Sequence, residues 1–203
     1  MSVEQAIERF ARGEFVIVFD AESRENEGDL MVAAEHTSLA AMRFLLEHTC
    51  GVVCVAMPPE RADQLRLGQM IEPNTGLHDT AFTVSVDHAS GTTGISAAER
   101  AKTIRALADP ATRPDDLARP GHVFPIRAVA GGTLERDGHT EAGVDLSRLA
   151  GLSGVTAICE VVLEDYSMAR YDDLVALAEK QDLPLMSVGD LAEYRVSLRI
   201  RGR

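Results

Sequence analysis

Short apolar runs alternate with amphipathic stretches along the whole chain, and no shift in composition marks a linker. Within residues 2–12, Val3, Ala6, Ile7 and Phe10 repeat at helical spacing, and Gly13 follows as a stop. Phe15–Phe19 then reads as a strand and Leu30–Ala34 as a second, leaving Asp20–Asp29 as the loop between them. Ser38 precedes a helix whose Leu39, Met42, Leu45 and Leu46 share a face. The strand Val52–Met57 follows and is ended by Pro58-Pro59. Phe82, Val84 and Val86 alternate with polar residues, as a half-buried strand requires. Ser96 and Glu99 have capping-box spacing at the head of a helix running to about Ala108. Asp109–His122 holds three prolines and a glycine and is expected to be a long loop. Strands over Val123–Ala130 and Val155–Leu163 flank a glycine-rich turn and a helix from about Glu141 to Ala150. A helix built on Leu174, Leu177 and Ala178, a strand Leu185–Val188 and a helix to Tyr194 close the pattern. Neighbouring strands mixed with helical crossovers predict an α+β fold: a single domain with a mixed β-sheet and flanking helices. That domain is expected over residues 1–195, with 196–203 a basic tail or the start of a linker.

Composition narrows the functional classes. No apolar run approaches the roughly 20 residues of a membrane helix. A net charge of -12, no tryptophan and 4% aromatics speak against a surface for nucleic acid. The three cysteines, Cys50, Cys54 and Cys159, are odd in number and lack C-x-x-C spacing, so neither a disulfide framework nor a thiolate zinc site is indicated. The reading is a soluble, cytoplasmic protein acting on a small molecule, with no nucleic acid and no membrane as partner.

Three segments carry candidate chemistry. The loop Asp20–Asp29 packs five carboxylates, Asp20, Glu22, Glu25, Glu27 and Asp29, around Arg24. Such density suits a hard divalent ion, and a solvated acidic hairpin is the alternative. Arg136–Thr140 stands before a helix, where Thr140 can cap and the free N–H groups with Arg136 can face a phosphate. His139 there can supply an imidazole to the acidic loop, or simply pack. His122, held between Pro120 and Pro125, can be a general acid or base or an exposed loop histidine, and Glu160 can face solvent or a site from its apolar strand. Cys54 is read as a small buried hydrophobe. Gly91–Ser96 carries glycines and hydroxyls before a helix but lacks a Walker lysine.

Together, FDAESRENEGD at 19–29, TAFTVSVD at 80–87, TTGISAAER at 92–100, RPGHVFPIRA at 119–128, GHTEAGVDLSRLAG at 138–151 and ICEVV at 158–162 resemble the 3,4-dihydroxy-2-butanone 4-phosphate synthase family of riboflavin biosynthesis. The resemblance spans nearly the whole chain. It implies a lyase that converts D-ribulose 5-phosphate to L-3,4-dihydroxy-2-butanone 4-phosphate and formate with Mg²⁺ or Mn²⁺, two ions per site, as a homodimer. Glu25 and His139 are then the metal ligands, and His122 and Glu160 the proton-transfer groups. Arg24, Glu25, Asp29, Arg136, Asp137, Gly138, His139, Thr140 and Glu160 are the substrate-binding set, with Asp20, Glu27 and Cys54 in the pocket. Asp137 departs from the small or neutral residue usual beside the phosphate site, and pointing inward it weakens the grip of Arg136. Some family members continue into a GTP cyclohydrolase II domain, so the arginine-bearing end is either a terminus or such a linker. A metal-dependent sugar-phosphate isomerase and a non-catalytic phospho-ligand-binding domain are the alternative functions.

Overall fold

Ser2 and Gln5 exchange hydrogen bonds, each side chain accepting from the other's backbone N–H, and this box opens α1 (Val3–Ala11). The computed structural model describes residues 2–201. After α1 come β1 (Val16–Phe19), β2 (Gly28–Ala33), α2 (Leu39–His48), β3 (Cys54–Met57), α3 (Pro59–Gln64), β4 (Val86–His88) and α4 (Ala97–Ala108). β5 (Leu117–Arg127), α5 (His139–Leu149), β6 (Thr156–Glu160), α6 (Tyr171–Gln181), β7 (Leu185–Ser187) and α7 (Val188–Arg201) complete the chain. The strands form one sheet in the order β4-β5-β3-β6-β2-β1-β7. β1 runs parallel to β7 and β3 to β5, while the remaining pairs are antiparallel. The mixed sheet of the α+β expectation is therefore present.

Alternation along the strands feeds two cores. Ile17, Leu30, Val55 and Ala157 face one side, where they pack with Met42 and Leu45 of α2, Ile104 and Leu107 of α4, and Leu174 of α6. Val16, Met31, Ala56 and Ile158 face the other, against Phe10 of α1, Ala142 and Leu146 of α5, and Leu191 of α7. Each fully buried aliphatic side chain contributes roughly 1.5–3 kcal/mol relative to exposure. α5 rides close to the sheet because position 143 is glycine: a Cβ there would stand 3.3 Å from the Cβ atoms of Ala56 and Thr156. Thr156 Oγ1 donates to the Gly143 carbonyl at 2.7 Å, tying helix to strand where they are closest.

Several expectations need correction. Asp29 lies on β2 rather than in the loop, because the β1–β2 ladder already includes Phe19 with Gly28. The expected loop Asp109–His122 is only partly irregular, since β5 begins at Leu117. Leu117 and Ala118 pair with His88 and Asp87, Val123 pairs with Val86, and the register shift between these pairs accommodates Pro120-Gly121. At Gly121 a Cβ would fall 2.0 Å from the Val86 carbonyl carbon, so only glycine permits that approach. The 82–86 strand is reduced to β4 and isolated bridges at Phe82 and Thr83. Ser96 caps α4, but the Glu99 carboxylate turns instead to Thr92 and to the Gly94 N–H, which leaves those N–H groups no role as a phosphate cradle. The last helix runs past Tyr194 to Arg201, and Gly202 and Arg203 of the expected tail lie outside the described residues. Among the described residues, no helix is long and apolar enough to cross a membrane.

Candidate active site

The turn between β1 and β2 is organised by one buried carboxylate. Asp20 Oδ2 accepts from Arg24 Nη1 at 2.9 Å and from the Glu25 N–H at 3.0 Å, and Oδ1 accepts from the Glu27 N–H at 2.9 Å. Both oxygens of Asp20 are thus spent on clasping the turn, and that clasp aims Arg24 and Glu25 toward β6 and α5. Glu27, partly buried beside Glu25 and Glu160, has its pKa raised by burial first and by those like charges second. On β2, Asp29 stands opposite Glu160 of β6.

α5 delivers the remaining groups. Its N-cap is Gly138, not Thr140 as expected; Thr140 is buried in the first turn. A side chain at the cap would collide with Arg136 Nη1 at 2.3 Å and Glu141 Oε2 at 2.8 Å, so the Arg136–Glu141 ion pair occupies the space where a capping side chain would sit. That pair is 2.6 Å long, with Glu141 almost wholly buried. Arg136 Nη2 also donates to the His78 carbonyl at 2.9 Å and to Thr80 Oγ1 at 3.4 Å. The guanidinium is thereby held at the mouth of the helix N-terminus. The Asp137 side chain is 80% exposed and points away, 3.9 Å from Arg24 Nε at its nearest charged contact.

These elements enclose a cleft of about 200 Å³. At about 30 Å³ per water, that is room for a small polar ligand. It brings together Arg24, Glu25, Asp29, Cys54, Arg136, His139, Thr140 and Glu160 from the expected set. Thr80, Phe82, Ile126 and Ile158 line it as well. Those four were missed as site residues; Thr80 and Phe82 open the 80–87 motif, whereas Ile126 and Ile158 carry no polar signal and read as core. Glu141 was missed although it sits in the GHTE motif, because its task is to fix Arg136. Asp20, Glu27, Asp137 and Gly138 border the cleft without lining it. His122 does not reach it: it lies four residues before Ile126 on β5, about 13 Å along the strand. There its Nδ1 meets Asp87 Oδ2 at 2.8 Å and its N–H donates to Asp87 Oδ1 at 2.9 Å.

The electrostatics at the floor are unusual. Glu25 Oε2 accepts from Arg24 at 2.7 Å and lies 3.4 Å from His139 Nδ1, and the hydrogen bond to His139, then the charge of Arg24, hold Glu25 down at about 2. Burial alone would lower the His139 pKa, but Asp29, Glu25 and Asp20 outweigh it and raise the imidazole to about 9. Burial pushes Asp29 up to about 7. Burial also drives the Cys54 thiol well above its ordinary value, so it behaves as an inert wall. Asp29 Oδ1 and His139 Nε2 are buried without a hydrogen-bond partner. Two orphaned donor atoms beside Glu25, in an oxygen–nitrogen set, fit a hard divalent ion. Glu25 and His139 are the residues that could hold it; Asp20, though within 4.8 Å of both, has both oxygens engaged by the turn.

A family model for 3,4-dihydroxy-2-butanone 4-phosphate synthase matches residues 4–194. The chain belongs to the 3,4-dihydroxy-2-butanone 4-phosphate synthase family. It is 52% identical over 193 residues to the 3,4-dihydroxy-2-butanone 4-phosphate synthase of Agrobacterium fabrum, covering 95% of this chain and 91% of that one. It is 50% identical to the riboflavin biosynthesis protein RibBA of Chlamydia trachomatis over 96% of this chain but 46% of the relative. A crystal structure of a 3,4-dihydroxy-2-butanone 4-phosphate synthase in complex with two magnesium ions superposes with TM-score 0.92 at 44% identity, covering 96% of each chain. The chain spans half or less of the length of the RibBA relatives it matches.

Proposed function

We propose that this chain is the synthase itself, a carbon–carbon lyase of riboflavin biosynthesis that converts D-ribulose 5-phosphate to L-3,4-dihydroxy-2-butanone 4-phosphate and formate. The observation that carries the reading is the cleft that Arg136, at the N-terminus of α5, shares with Glu25, His139 and Asp29. Arg136, anchored by Glu141, and the free N–H groups of α5 would grip the phosphate, which fixes the carbon chain relative to the acid–base groups. Asp29, its carboxyl pushed up to about 7 by burial, and Glu160 opposite it on the sheet would take protons from the sugar carbons and return them. Divalent ions, Mg²⁺ or Mn²⁺, held by Glu25 and His139 would supply Lewis acidity for the negative charge that develops on adjacent substrate oxygens. Two such ions per site are part of the reading.

His122 enters this chemistry only if a second copy of the chain brings it to the cleft, and a cytoplasmic homodimer is therefore part of the proposal. Residues 1–195 form the synthase domain in this reading, and α7 carries the chain on through 196–201 of the arginine-bearing end, where a linker toward a GTP cyclohydrolase II domain can begin.

The test is formate release from D-ribulose 5-phosphate with Mg²⁺ and then with EDTA, for the natural chain and Glu25→Ala. Metal-dependent formate lost in the variant supports the lyase. Isomerised sugar phosphate without formate, or binding without turnover, defeats it.

A further inference from the structure

Outside the set assigned to ion binding, a second group of donors converges on Glu160. Cys50 and Cys159 are 109 residues apart in sequence, yet their sulfurs lie 3.7 Å from each other, and Cys50 Sγ donates to Glu160 Oε2 at 3.1 Å. One ligand atom from each of the three lies within 4.8 Å of the others. Cys50 is exposed and Cys159 buried, so the group has one open side. The fold creates it: Thr49 bridges to Val161 and the Cys50 N–H donates to the Glu160 carbonyl at 3.0 Å, which prolongs β6 pairing onto the segment leading into β3.

We infer that Cys50, Cys159 and Glu160 form a site for a thiophilic divalent cation such as Zn²⁺, separate from the magnesium ligands and sharing Glu160 with the cleft. Zn–S bonds of about 2.3 Å at a tetrahedral angle hold two sulfurs about 3.8 Å apart, close to the spacing found here. The sulfurs are thus preset for a shared ion. Two thiolates and a carboxylate around a dication leave one net negative charge, and the two thiol protons pass to solvent on binding. Arg100 is the counter-charge. Its guanidinium is buried with Nε unpartnered, donates from Nη1 to the Gly51 carbonyl at 3.3 Å, and lies near enough to Cys159 for the two to interact electrostatically. Magnesium, which prefers oxygen and its own waters, has no use for this donor set. An ion seated there withdraws Glu160 from the cleft. The site stands whether or not the proposed reaction is right; only the effect on turnover rests on that reading.

The full chain, reduced and held in excess Mg²⁺ to fill the hard site, is titrated with Co²⁺ and then Zn²⁺. A thiolate-to-cobalt charge-transfer band saturating at one ion per chain, abolished by Zn²⁺ and absent from Cys50→Ser, is expected; Cys54 and His139 remain intact in that variant. Zn²⁺ should also protect Cys50 from alkylation. The zinc concentration that halves formate release should rise at least tenfold in Cys50→Ser. No charge-transfer band, an equal band in Cys50→Ser, or loss of both thiols to a disulfide with no ion bound overturns the site. Equal inhibition of both proteins by zinc overturns the link to Glu160. Absence of formate from both proteins defeats the reaction instead, and the cobalt spectrum still decides the site.

Discussion

Asp29 Oδ1 stands 4.0 Å from His139 Nδ1 at the floor of the cleft, and each residue buries a polar atom that no protein group satisfies. Both residues line the cleft. An ion entering beside Glu25 would meet His139 as an imidazolium, because the surrounding carboxylates hold it protonated to about pH 9. Coordination needs the neutral ring, so Mg²⁺ binding should release a proton. Calorimetry in two buffers of different ionisation enthalpy is expected to show close to one proton released per chain at pH 7.5, with affinity rising as pH approaches 9.

The same shifts set the stability of the metal-free protein. His139 sits at about 9 against an ordinary 6.5, so its pairing stabilises fully below about 6.5 and is lost as pH rises through 9. Glu25 sits at about 2 against 4.5, so its contribution is full above 4.5 and is lost as pH falls toward 2. In EDTA, melting temperature should therefore fall between pH 6.5 and 9, and His139→Gln should flatten that part of the profile.

Asp29 is held protonated at a pH where an unfolded aspartate is ionised, so the residue costs stability above pH 3.8, with the full cost reached by about 7. Asp29→Asn should melt at or above the natural chain at pH 8 in EDTA. Its formate production should nonetheless drop by about two to four orders of magnitude, the range for losing an acid–base group. A variant that is both stable and fully active would remove Asp29 from proton transfer.

Arg136 is positioned by a carboxylate that is itself almost wholly buried. Arg136→Ala should raise KM for the sugar phosphate at least tenfold, whereas Asp137→Gly should change it less than twofold, because the Asp137 side chain faces water. Steady-state kinetics on the two variants checks both, and a large gain in affinity from Asp137→Gly would show that the aspartate reaches the phosphate.

The strand and helix periods of β1, β2, α2, α4 and α6 were legible because each keeps one apolar face, and the motif-bearing residues of the cleft were legible as residue types. What escaped was set by contacts across long stretches of chain. Pro120 and Gly121 read as loop residues, but a register shift against β4 lets the strand pass through them. Thr140 reads as a cap, yet α5 already begins at His139 with Gly138 as its N-cap, and the Arg136–Glu141 pair fills the space a side chain at 138 would need. The pairing of Cys50 with Cys159 has no local spacing to reveal it. His122 is recognisable from its motif, whereas its pairing with Asp87 across β4 and β5 has no local signal in the sequence.

The order in which the cleft's parts leave the ribosome follows from their order along the chain. The β1–β2 hairpin is local and complete by Ala33, while His139 and Glu160 arrive more than a hundred residues later. At the usual rate of about 5–20 residues per second, that is a delay of roughly 5–25 seconds. Through that interval the acidic turn is a set of carboxylates with no imidazole to complete it. Gly143 lets α5 sit close on β3 and β6, and β6 is made after α5, so the helix can reach that seat only once the strand that carries Glu160 has been synthesised.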